Sequence, residues 1–184
     1  IWRLFAKNFY LFRGTPSRIW IEHAFQHVFG IDTRLSSETA DAVYDQIAAC
    51  LAQPTFRPRA LFERFGIEAL STTESALDDL RWHKMIRDSD WNGNVVTTYR
   101  PDAVVDPEFD GFANNIERLG DITGEDATTW TGYLAAHRKR RAFFKTFGAT
   151  ASDHGHATAR TEDLPQDAAA RLFDKALRGQ HNAE

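Results

Sequence analysis

The chain has 184 residues, 42% hydrophobic, 26% charged and 12% aromatic, a globular composition that excludes disorder throughout. Twenty-two basic residues stand against 26 acidic ones, for a net charge of −4, the wrong balance for general phosphate attraction, so no nucleic-acid partner is expected. Its apolar runs are far shorter than the ~20 residues of a membrane span, and its single cysteine, Cys50, makes no intrachain disulfide and suits a reducing, cytoplasmic setting.

Residues 1–18 are aromatic and basic, and Gly14 and Pro16 punctuate their end. A helix is expected from about Arg18 to Phe29, with Ile21, Phe25 and Val28 on one face and Gly30 as C-cap. The next helix is capped by Ser36 and carries Ala40, Val43, Tyr44, Ile47, Ala48 and Leu51 at i, i+3, i+4, i+7 spacing. A third covers Pro58 to Phe65 and stops at Gly66. The first 60 residues therefore read as all-helical.

The pattern then changes. Ile67 to Thr73 reads as a buried strand, and a helix is expected over Ser75–Asp88, with Asp78 and Asp79 early and Lys84 and Arg87 late to suit the helix dipole. Asn94 to Arg100 is β-branched and reads as a second strand, stopped by Pro101. Helices are expected around Phe109–Leu119 and Ala127–Phe147, a weak third strand over Gly148–Asp153, and a last helix from Asp163 to Leu177. Strands alternating with helices indicate parallel βαβ units and an α/β fold.

Ligands of parallel α/β proteins meet the C-terminal ends of strands. Those ends hold Arg100, Asp102, Asp153, His154 and His156. The Arg100 guanidinium can grip a carboxylate through two parallel hydrogen bonds, or can simply pair with Asp102. Asp153 can accept hydrogen bonds from substrate hydroxyls or act as a base. His154 and His156 form an H-x-H pair that could hold a metal such as zinc with a third ligand, or be two ordinary loop histidines. His137-Arg138-Lys139-Arg140-Arg141 is the one basic run, and a solvated helix face is expected of it. His23 and His27 stand at i, i+4 without an H-E-x-x-H pattern, and packing or surface placement is expected. The sequence has no G-x-G-x-x-G, Walker A or nucleophile-elbow match.

Several segments, taken together and in order, resemble the uronate isomerase (glucuronate isomerase) family of the amidohydrolase superfamily. They are Leu11 to Trp20 with Val28 to Ile31, Arg57 to Phe62 leading into Leu70-Ser71-Thr72-Thr73, Asp78-Asp79-Leu80 with His83, Tyr99-Arg100-Pro101-Asp102, and Ala151-Ser152-Asp153-His154-Gly155. Glu74 departs from the T-T-D pattern of that family. The resemblance implies a distorted (β/α)8 TIM barrel with an α-helical insertion. Residues 1–60 would be the insertion, and 61–184 about strands two to four of the barrel with their helices.

The implied reaction interconverts D-glucuronate and D-fructuronate, or D-galacturonate and D-tagaturonate, by moving a proton between C2 and C1 through an enediol. The resemblance makes Arg100 a substrate-binding residue and Asp153 a catalytic and substrate contact, with His154 beside them. It places the ligands of a divalent metal such as zinc outside these residues, so none is assigned here. A complete barrel needs about 250 residues or more, and the chain opens on Ile1 rather than Met. It is therefore expected to be an internal segment, inactive alone, acting on a small sugar acid as a homo-oligomer or together with the rest of its chain. A metal-dependent hydrolase using His154 and His156 and a non-catalytic helical interaction module are the alternatives.

Overall fold

The computed structural model describes residues 1–155 and 161–180; His156 lies outside them. The chain divides into two compact units, Ile1–Ile67 and Glu68–Glu184. The first is helical. Helix α1 (Trp2–Asn8) runs into a 3-10 turn at Phe9–Phe12, and α2 (Pro16–His23) begins with Thr15 as N-cap, its side chain accepting from the Arg18 amide. The expected helix to Phe29 loosens after His23 into a π-helical turn, Ala24–Val28. Such a turn frees backbone carbonyls. The Arg64 guanidinium donates to the carbonyls of His27 and Val28, and the Gln46 amide to those of Phe29 and Gly30. Helices α3 (Ala40–Leu51) and α4 (Pro58–Arg64) follow the periodicity, but α3 starts after Thr39 rather than at the expected Ser36 cap, whose hydroxyl instead accepts from Glu38 N in the preceding turn. Ala6, Phe9, Phe25, Ile31, Leu35, Ala40 and Val43 form the core of this unit.

The second unit holds a two-stranded parallel sheet, β1 (Leu70–Ser75) and β2 (Val95–Arg100), in register from Leu70 opposite Val95 to Ser75 opposite Arg100. β1 starts three residues later than the hydrophobic run suggests, ends at Ser75 rather than Thr73, and is exposed or half-exposed along its length rather than buried. The helix expected from Ser75 is consequently short: α5 spans Arg81–Arg87. Residues 76–80 form a turn instead. The Asp78 and Asp79 carboxylates accept from the Leu80 and Arg81 amides at 2.7 and 3.0 Å, the local bonding by which aspartate competes with helix. Leu80 sits fully buried at φ 55°, the left-handed region.

Among the described residues four helices follow. The short α6 (Asp102–Val105), hidden in the sequence behind Pro101, precedes α7 (Phe112–Thr123), α8 (Trp130–Lys145) and α9 (Gln166–Leu177). The third expected strand reduces to one parallel bridge between Tyr99 and Ser152. Its small residues supply little surface to pack.

One face of the sheet packs on helices. Thr97 and Tyr99 point there, and Tyr99 meets the Phe144 ring edge-on at 5.0 Å. Leu80, Val104, Ile116, Leu119, Ala136 and Phe144 are fully buried around it. The opposite face carries Ser71, Thr73, Ser75, Thr98 and Arg100. It is more open, and Ser71 and Thr98 share a hydroxyl–hydroxyl bond of 2.7 Å there. Among the described residues no helix is long and apolar enough to cross a membrane.

Candidate functional site

The C-terminal end of β2 gathers three charged side chains. Strand alternation turns Tyr99 into the core and its neighbour Arg100 to the open face. Pro101 stops the strand, and α6 begins at once with Asp102. The Arg100 Nε donates to Asp102 Oδ2 at 2.7 Å and lies 3.7 Å from Asp153 Oδ2. The backbone brings Asp153 there. Tyr99 N donates to Ala151 O at 3.2 Å, and Asp153 N donates to Tyr99 O at 3.0 Å. One bridge beside β2 thus carries the second carboxylate to the arginine.

The loop that follows closes the group, because Gly155 N donates to the other Asp102 oxygen at 3.0 Å. Partial burial raises the Asp102 carboxyl, but the Gly155 amide, the Arg100 guanidinium and the neighbouring His154 outweigh it and hold it below the ordinary carboxylate value. The hydrogen bond Arg100 donates to Asp102, then the charge of Asp153, hold Arg100 above its own ordinary value. Arg100 is 45% exposed and Asp102 only 18%. A fixed, half-open guanidinium on a rigid strand end suits a ligand carboxylate.

Of the residues singled out in the sequence, Arg100, Asp153 and His154 are brought to one place, with His154 exposed at its rim. Arg100 makes the pair with Asp102 that was the plainer of its two expected roles, and the rest of its guanidinium stays half-exposed. His156 falls outside the described residues. His23 and His27 lie on the surface with rings 4.4 Å apart. Among the described residues no three His, Cys, Asp or Glu side chains are grouped to hold a metal ion.

The structure also joins side chains outside this group. Beneath the C-terminal end of β1, the buried Thr97 hydroxyl donates to Glu74 Oε2, and that oxygen lies 3.7 Å from His83 Nε2. His83 Nε2 in turn bonds Thr72 Oγ1 at 2.9 Å. The basic run departs from the solvated face expected of it. His137 and Arg140, one turn apart on α8, are 9% and 6% exposed, while Arg138, Lys139 and Arg141 remain outside. His137 Nδ1 bonds the Tyr99 hydroxyl at 2.8 Å, and its Nε2 is buried without a partner. Burial, then the charge of Arg141, push His137 down to about 4, and burial pushes Tyr99 up to about 12.

The family model for glucuronate isomerase matches residues 1–184. The chain is 63% identical over 179 residues to a uronate isomerase of Mesorhizobium japonicum, covering 97% of this chain and 38% of that protein. It is 59% identical over 184 residues to a uronate isomerase of Rhizobium meliloti, covering 100% of this chain and 39% of that one. Its structure superimposes on the crystal structure of glucuronate isomerase from Caulobacter crescentus with a TM-score of 0.92 at 49% identity, covering 99% of this chain and 38% of that one. Uronate isomerase from Thermotoga maritima gives 0.89 at 28%, covering 100% and 40%. The chain thus spans about two fifths of the length of the relatives it matches.

Proposed function

The chain belongs to the glucuronate isomerase family, and from that premise we propose that it carries the carboxylate-binding part of a uronate isomerase. The observation that supports this most is the Arg100–Asp102–Asp153 group at the end of a parallel strand. The reaction interconverts D-glucuronate and D-fructuronate, or D-galacturonate and D-tagaturonate. A base removes the C2 proton of the aldose, the electrons move into an enediol as the C1 carbonyl oxygen takes a proton, and reprotonation at C1 as the C2 hydroxyl gives up its proton leaves the C2 ketone.

Arg100 holds the substrate's C6 carboxylate, which fixes the far end of the sugar while C1 and C2 react. Asp102 keeps the guanidinium in one orientation. Orientation of this kind is what lowers the entropic cost of the chemical step. Asp153 accepts from sugar hydroxyls and is the candidate catalytic carboxylate, with His154 as a further substrate contact. The sheet and its helices form about strands two to four of a (β/α)8 barrel over residues 61–184, with residues 1–60 as its helical insertion. The donors of a divalent ion such as zinc belong outside the described residues, which do not fit one. The exposed apolar groups are covered by the rest of the enzyme chain or by a second copy, in the cytoplasm. The relatives named by the comparisons are isomerases rather than hydrolases or interaction modules, which weighs against both alternatives.

The test is turnover of D-glucuronate by an enzyme completed to the length of its relatives, with the ketose product read by chromatography or NMR. Formation of fructuronate is the expected result. An enzyme that folds, holds its metal and converts neither glucuronate nor galacturonate overturns the reading.

A further inference from the structure

The buried guanidinium of Arg140 has no place in the reaction above, yet it reaches the strand ends. It lies on α8 over the rings of Phe143 and Phe144, 4.5 and 5.4 Å from their centroids. Its Nε donates to Ala76 O at 2.7 Å and its Nη2 to Asp78 O at 2.6 Å. Both carbonyls belong to the turn that leaves β1. That turn is not a comfortable conformation, since it contains Leu80 at positive φ. Ala76 then reaches across the sheet, and its amide donates to the Arg100 carbonyl at 2.9 Å. One turn earlier on the same helix, His137 holds the Tyr99 hydroxyl. The two strand ends are therefore gripped from one helix, three residues apart.

We propose that Arg140 is a positioning residue for the carboxylate site: it fixes the turn after β1, and through the Ala76 amide the backbone of Arg100. Surface arginines do not act this way; a guanidinium buried against two carbonyls is a rigid fork that lysine cannot reproduce. The inference rests on the isomerase reading, because the group being positioned is the one assigned to the substrate carboxylate.

The experiment measures KM and kcat for D-glucuronate in the completed enzyme with Arg140→Met and Arg140→Lys, per mole of folded protein. A misplaced Arg100 weakens ground-state and transition-state binding alike, so the effect falls on KM. Arg140→Met is expected to raise KM by about tenfold, as small misplacements at a positioning group do, with part of the rise reversed by millimolar guanidinium. Arg140→Lys, which keeps the charge, is expected to fold and to raise KM by roughly threefold on the same ground. A role confined to stability would lower the folded fraction and leave KM at the wild-type value. Wild-type KM in the folded variants overturns the positioning role and leaves the isomerase reading standing. No turnover by the wild-type enzyme overturns both.

Discussion

Arg100 and His137 show how two side chains on either side of one strand end titrate and bind in different ways. Arg100 is open to solvent and needs a carboxylate partner to stay fixed. Replacing Arg100 with Ala removes the counter-charge proposed for the substrate carboxylate and leaves Asp102 with only the Gly155 amide. We expect kcat/KM for glucuronate to fall by about 3 kcal/mol, a little over a hundredfold, mostly through KM. Steady-state kinetics of the completed enzyme check this. His137 faces the core, and its low pKa has a stability consequence. Unfolded, it binds a proton below about 6.5; folded, only below about 4. Between these values the unfolded chain holds more protons, so stability rises with pH across that window and levels off above it. The full effect is up to about 3 kcal/mol. Urea midpoints at several pH values should show the slope, and His137→Gln should flatten it. Asp102 acts elsewhere on the scale: its depressed carboxyl contributes stability above the ordinary carboxylate value, lost only as pH falls below about 4.

At the scale of elements, α8 carries much of the organisation, and the sequence disclosed only part of this. Its period was legible from Tyr133, Leu134 and Phe144. Its basic run was not, because five adjacent polar residues read as solvent-facing until the helix turn assigns His137 and Arg140 inward. Which polar residues a helix buries depends on what stands opposite, here the Tyr99 hydroxyl and two free carbonyls. The boundary of α5 was missed for a related reason: the pairing of Ser75 with Arg100 extends β1, and the Asp78 and Asp79 side chains then close a turn. The start of α8 yields a prediction against helix propensity. Alanine normally stabilises a helix relative to glycine by up to about 1 kcal/mol. A Cβ on Gly132, however, would meet the Asp126 carbonyl oxygen at 2.0 Å, in the turn capped by Thr129. Gly132→Ala is expected to destabilise the second unit by about 1–3 kcal/mol, read as a lower thermal midpoint by circular dichroism.

For the whole molecule, the α/β class and the parallel pairing were legible, because helix and strand periods alternate clearly after residue 66. The segments carrying Arg100 and Asp153 were legible as motifs. Their meeting rests on one backbone bridge 53 residues apart in the chain, between Tyr99 and Ser152, where the sequence indicated only a weak third strand. The chain spans 38% of its Mesorhizobium relative, and its units leave Trp20 72%, Trp82 59% and Met85 60% exposed. We therefore expect the isolated 184-residue chain to give no turnover of glucuronate in a coupled assay, and to bind a hydrophobic dye strongly.

The sheet itself sets a hazard for any such isolated chain. In a parallel pair, alternate residues turn their amides to opposite edges. Leu70 and Ala76 donate toward β2, so Ser71, Thr73 and Ser75 turn theirs the other way, where no strand lies among the described residues. That rim of donors and acceptors, flanked by threonines and guarded only by the inward-turned Glu74, is a template for foreign strands. A newly made chain that waits with this rim unclosed competes between completing its own sheet and joining another molecule's, and the growth of fibrils would be its failure mode.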